Sequence, residues 1–229
     1  MANSTKAVEA FKNKITEALD YHQEFLLAVY NKKRQASLEA RLVEQFIMSI
    51  AVLWEAFIND LLIAYVVENP NTCLTNLKDR INQSITSKFG IATAKRVYFG
   101  KPKKVNRVQA LALIDPEGMN ITAKSADDLS NRANQLLVAS SAIKFSLNSD
   151  DRELINLVIS IRNYIGHRSK RSREALKDSI ASIETTGINS PLKAKLTTVG
   201  AYLRYKTSPT GTRATFIVQR LLDISDKLG

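Results

Sequence analysis

Asp150-Asp151-Arg152-Glu153-Leu154-Ile155-Asn156-Leu157-Val158-Ile159-Ser160-Ile161-Arg162-Asn163-Tyr164-Ile165-Gly166-His167 is the stretch on which the reading of the chain turns. Leu154, Leu157, Val158, Ile161 and Ile165 recur at three- and four-residue intervals, the period of a helix with one face in a core. A flanking row (Ile155, Ile159, Arg162, Gly166) widens the apolar arc, and a narrow polar stripe holds Asn156, Ser160, Asn163 and His167. Asp150 with Glu153 three positions on predicts a capping-box start. Arg162 thus falls inside the apolar arc. A buried guanidinium requires a partner, because an unpaired charge is costly to desolvate. Pattern and residue conflict here, as they often do at functional sites.

Arg162 and His167 are five positions apart, about 140° around an ideal helix, so one regular helix does not aim them the same way. Long side chains, a last turn loosened at Gly166, or a second copy of the helix across a two-fold axis would bring them together. An imidazole near neutral pKa serves as general acid or base. A guanidinium keeps its charge and grips phosphate oxygens in a fork. Asn163, one turn before His167, is placed to orient the ring or meet a substrate. Together they suit attack on a phosphodiester without a metal.

The arrangement of Arg162, Asn163 and His167 at the end of an apolar helix resembles the motif of the HEPN superfamily, with the four-residue spacer at the short end of that family's range. Upstream, Trp54-Glu55-Ala56-Phe57 within Ala51–Leu62 resembles the Trp-Glu-x-Phe helix of the bacterial ribonuclease-toxin-like (RiboL-PSP and MAE-type) branch. The two matches cover about a third of the chain, and the segment from about 70 to 125 is not assigned to the family core. The resemblance implies an all-α helical bundle of HEPN type with additional helices, acting as a metal-independent endoribonuclease. It implies a homodimer whose paired helices form a composite cleft, and 2′,3′-cyclic phosphate and 5′-hydroxyl products. A toxin or phage-defence role, held in check by an antitoxin protein, follows from the same resemblance.

Composition points the same way in coarser terms. The chain has 229 residues, 45% hydrophobic and 24% charged, enough for a sizeable core, and its 8 Gly and 5 Pro favour helices over turn-rich sheets. One domain over 1–229 is expected, with a basic insertion at about 70–125 and a C-terminal helical hairpin at about 188–229. The single cysteine, Cys73, excludes an internal disulfide framework and suits a reducing cytosol. The N-terminal residues lack the apolar run of a signal peptide, so a cytoplasmic location is expected. A net charge of +11 favours a polyanionic partner, with RNA first. No Cys/His zinc spacing and no Gly-rich phosphate loop is present, so neither metal nor cofactor is expected.

Working outward, Phe11, Ile15, Leu19, Phe25, Leu26 and Val29 predict an amphipathic helix from Ser4 to about Tyr30, with His22 a surface or half-buried residue. A long helix is predicted from about Gln35 to Glu68. Its stretch Phe46–Val67 is apolar enough to raise a membrane question, but Glu55, Asn59 and Asp60 at mid-span make hydrocarbon costly. A core helix without membrane contact is the expectation, with Trp54, Phe57, Leu61 and Tyr65 against the motif helix. Glu55 and Asn59 share one face; Glu55 either reaches Arg162 or sits in solvent. After Asn69-Pro70-Asn71, a short helix runs from Leu74 to about Phe89.

Lys95 to Arg107 carries six basic residues and no acidic one around Tyr98-Phe99. It is either an RNA-contacting loop using Lys101, Lys103 and Lys104, or a solvated loop anchored by its aromatics. Asp115-Pro116-Glu117-Gly118 reads as a turn, and Asp127 and Asp128 begin a helix to about Phe145. Arg168, Lys170 and Arg171 follow the motif helix, either as RNA-backbone contacts or as cations suited to a helix C-terminus. Helices from about Pro191 to Lys206 and from Thr212 to Leu228 close the chain. Beside the nuclease reading stands a non-catalytic helical module that binds nucleic acid or protein, with Arg162 a structural ion-pair residue and His167 a cap. A helix-turn-helix DNA binder lacks a fitting helix spacing.

Overall fold

The longest apolar run builds the longest helix, and the other helices pack around it. In the computed structural model, residues 3–100, 104–115, 122–186, 196–209 and 211–229 are described. Helix α1 spans Asn3–Val29, α2 Gln35–Glu68, α3 Asn71–Phe89, α4 Ile91–Ala94, α5 Arg107–Ile114 and α6 Ala126–Leu136. Then come α7 (Ala139–Ala142) with a 3-10 turn (Ile143–Phe145), α8 (Ser149–His167), α9 (Lys170–Thr186), α10 (Val199–Arg204) and α11 (Arg213–Leu228). The fold is all-α: among the described residues the β-structure is one isolated bridge, Lys206 to Thr212.

In α2, Leu61 to Val66 are six consecutive buried residues, which no single-faced amphipathic helix shows. Helices α1, α5, α8, α10 and α11 all pack on α2. Of its most apolar window, 61% is buried inside the protein. Trp54 lies edge-on to Phe11 of α1 with ring centroids 5.8 Å apart, and Phe57 stacks on the same ring at 4.6 Å. Tyr65 meets Phe145 edge-on, and its hydroxyl donates to the carbonyl of Leu228. All four residues expected against the motif helix, Trp54, Phe57, Leu61 and Tyr65, are buried in the same core cluster as Leu154, Leu157 and Ile161 of α8.

Several boundaries differ from expectation for local reasons. Helix α8 starts at Ser149, capped by Asn148, whose side chain accepts from the Asp151 N–H at 2.8 Å. The Asp150–Glu153 capping box is absent: Glu153 instead accepts from Ser182 on α9. Asp151, 1% exposed, pairs with Arg220 at 2.8 Å and Lys227 at 2.5 Å, tying α8 to α11. The helix expected from Asp127 to Phe145 breaks at Leu137 and Val138, which are extended. Ser130 Oγ then reaches the Phe145 carbonyl at 2.7 Å and folds the chain back over α6. Helix α3 starts at Asn71 rather than Leu74, and the helix expected over 191–206 is seen as Val199–Arg204, capped by Thr198. The expected turn at 116–118 lies outside the described residues. An unexpected helix, α9, follows His167 almost at once and buries Leu176, Ile180 and Ile183 beside α8.

Helix α10 approaches α2 closely at Gly200. A Cβ there would lie 2.6 Å from the Ala40 carbonyl oxygen and 2.7 Å from the Ala40 Cβ. Gly200→Ala must therefore push α10 off α2 and should cost about 1–3 kcal/mol, as overpacking does. A urea unfolding curve measures this; an unchanged midpoint would show that the contact is not close.

Candidate active site

Helix α8 runs antiparallel to α2: Arg162 meets Glu55, while Arg168 at the end of α8 meets Glu44, earlier in α2. Arg162 Nη2 donates to Glu55 Oε2 at 3.2 Å and Nη1 to Asn163 Oδ1 at 3.0 Å. The Arg162 side chain is 30% exposed and that of Glu55 22%, so the pair lies at the rim of the core rather than within it. The apolar-arc placement of Arg162 is thus resolved by a carboxylate partner and partial access to water. Glu55, Arg162 and Asn163 are brought together as one cluster.

The polar stripe of α8 divides along its length. Asn156 Oδ1 accepts from the Ala126 N–H at 2.8 Å and so positions α6. Ser160 Oγ bonds Ser179 Oγ of α9 at 2.6 Å. Asn163 holds Arg162, and His167 is exposed with no side-chain partner among the described residues. The stripe's first half joins helices; its second half faces outward.

No loosened turn draws His167 toward Arg162. Helix α8 continues through Gly166 to His167, and Gly166 has no positive φ. The chain leaves the helix only at Arg168, in the left-handed region at φ 49°. That turn is held on both sides. Arg168 pairs with Glu44 and lies over the Tyr164 ring at 5.4 Å, and Glu44 also accepts from the Gly200 N–H at 2.9 Å. The bond from Glu44, opposed by burial and assisted by its charge, raises the Arg168 pKa further above its ordinary value. Arg168 therefore braces the end of α8. Glu44 and Tyr164 were not singled out from sequence; Glu44 stands among Glu39, Arg41 and Gln45 in the polar first third of α2, where one more charge is no signal.

Lys170 and Arg171 are exposed in the first turn of α9, beside His167 in the chain. Cations at a helix N-terminus oppose no nearby carboxylate of that turn and add to the positive end of the dipole, so this corner is electropositive. Lys104 is exposed ahead of α5, whereas Lys101 and Lys103 lie outside the described residues. Among the described residues, no three His, Cys, Asp or Glu side chains come together as metal ligands. Comparison of the chain with family models, curated proteins and solved structures found no match.

The other histidine is structural in character. The His22 ring stacks on Phe46 with centroids 4.2 Å apart and planes 8° from parallel, and burial lowers its pKa below 6.5. The folded state then takes the proton less readily than the unfolded chain. The contribution is fully present above pH about 6.5 and is lost as pH falls through the lowered native pKa. The urea midpoint should therefore drop between pH 7 and pH 5, and His22→Phe, which keeps a stacked ring, should flatten that slope. An equally steep slope in the variant would place the acid sensitivity elsewhere.

Proposed function

We propose that the protein is a metal-independent endoribonuclease of HEPN type, with Arg162, Asn163, Glu55 and His167 as its site. The observation that carries this reading is the Glu55–Arg162–Asn163 cluster at the rim of the core, one turn before an exposed His167 whose side chain has no partner among the described residues. In this mechanism His167 accepts the 2′-hydroxyl proton as that oxygen attacks the adjacent phosphorus. The bond to the 5′-oxygen breaks and that oxygen takes a proton from solvent water, leaving a 2′,3′-cyclic phosphate and a 5′-hydroxyl. Arg162 stabilises charge on the phosphoryl oxygens, with Glu55 and Asn163 fixing the plane of its fork. Lys170 and Arg171 draw in the backbone.

A regular α8 leaves Arg162 and His167 diverging, which supports a homodimer in which the α8 helices cross on a two-fold axis and each cleft takes residues from both copies. Gly166 suits such a crossing. A Cβ there would meet only Met48 Cε, at 3.9 Å, so its own chain leaves the position open. By analogy of motif, the protein acts in the cytoplasm as a toxin or phage-defence nuclease restrained by an antitoxin.

One observation favours the alternative, a non-catalytic nucleic-acid- or protein-binding module. Four carboxylates of α2 each meet an arginine from another part of the chain: Glu39 with Arg204, Glu44 with Arg168, Glu55 with Arg162 and Asp60 with Arg107. In that setting Arg162 is one clamp among four. Incubation of the purified protein with total RNA and with tRNA in EDTA tests the nuclease reading. Cleavage to cyclic-phosphate ends, reduced at least about 100-fold in His167→Ala, is expected for loss of a general base. RNA binding without cutting across those pools would shift the reading to the binding module.

A further inference from the structure

Between Asp79 and Asp115 the chain carries eight Lys and Arg and no Asp or Glu. Arg107 is used by Asp60, but Arg80, Lys88, Lys95, Arg96 and Lys104 are exposed and pair with no described carboxylate. Within this segment the two adjacent aromatics behave differently. Phe99 is half-buried: it lines a cleft on α3 with Leu74, Leu77 and Ile81, and Lys78 Nζ lies 5.9 Å from its ring centroid. Tyr98 is 92% exposed and has no hydrogen-bond or ring partner among the described residues. Phe99 therefore anchors the segment, which leaves Tyr98 standing in solvent beside Lys95 and Arg96.

An aromatic ring open on its faces, flanked by cations that pair with no described carboxylate, matches an unstacked base with its phosphates. A base inside a duplex is already stacked and paired, so its face is not available. We propose that Tyr98 is a base-stacking platform for single-stranded RNA, with Lys95 and Arg96 holding the neighbouring phosphates. This rests on the RNA-directed reading above and adds the strandedness of the substrate and the residue that senses it.

The test is binding of a fluorescent 2′-O-methyl oligoribonucleotide of about a dozen bases, which lacks the attacking hydroxyl and so cannot be cut by this chemistry, to the full chain across a salt series. Tyr98→Ala should weaken binding about 5- to 100-fold without changing the salt slope, since stacking releases no counterions. Tyr98→Phe should bind like wild type. Lys95→Ala with Arg96→Ala should reduce the slope by about 1.4, at about 0.7 per phosphate contact on a single strand. Unfolding curves confirm that the Tyr98 variants fold. Equal affinity of wild type and Tyr98→Ala overturns the proposal while leaving the cleavage reading intact. So does tighter binding of a duplex of the same sequence. No binding by wild type overturns it as well, and the EDTA cleavage assay then decides separately whether the nuclease reading stands.

Discussion

Burial of α2 is the constraint on which the rest of the structure depends. A helix with six consecutive buried residues and little polar surface can exist in water only if other elements cover it on several sides. Helices α1, α5, α8, α10 and α11 do so, and their positions follow from that need. Apolar burial alone would leave the covering helices free to slide. The carboxylates of α2 restrict this, because Glu39, Glu44, Glu55 and Asp60 each meet one arginine in one register. Each pair contributes at most about 1 kcal/mol at such exposure, so these pairs act on register more than on stability.

The candidate site is a product of that register. Glu55 fixes Arg162 at the rim of the core, and Glu44 fixes the turn after His167 through Arg168 and the Gly200 amide. Two points on α2 thus hold the last turns of α8, and His167 projects from a braced helix end rather than a loose one. Where α8 ends, α9 begins with cations rather than carboxylates. A sequence under selection for stability alone would be expected to place acidic residues there.

The bounds of α2, the end of α8 and the candidate Glu55–Arg162 contact were legible in the sequence, because long apolar periodicity and a charge inside an apolar arc are strong signals. The start of α8 was not, since Asn148 and Asp150 both offer a capping side chain and only the packing of Asp151 against Arg220 and Lys227 selects the first. Helix α9 was missed because its cation-rich first turn masks the stripe of Leu176, Ile180 and Ile183. The ring contacts of Trp54 and Phe57 with Phe11 of α1 were not foreseen, because an apolar residue on a long apolar helix does not name the neighbour it meets. The division of Tyr98 from Phe99 depends on a cleft in α3 that sequence adjacency does not encode.

The central claim is that Arg162 serves the chemistry of the site and not merely the register of α8 on α2. Arg162→Ala, measured for unfolding free energy and for RNA cleavage per folded molecule on the same preparation, tests this most directly. With Glu55 still 22% exposed and able to take water, the account predicts a stability loss of about 1 kcal/mol or less, together with near-complete loss of cleavage. A loss of several kcal/mol with undiminished cleavage by the molecules that remain folded would contradict it, and would make Arg162 one more clamp on α2.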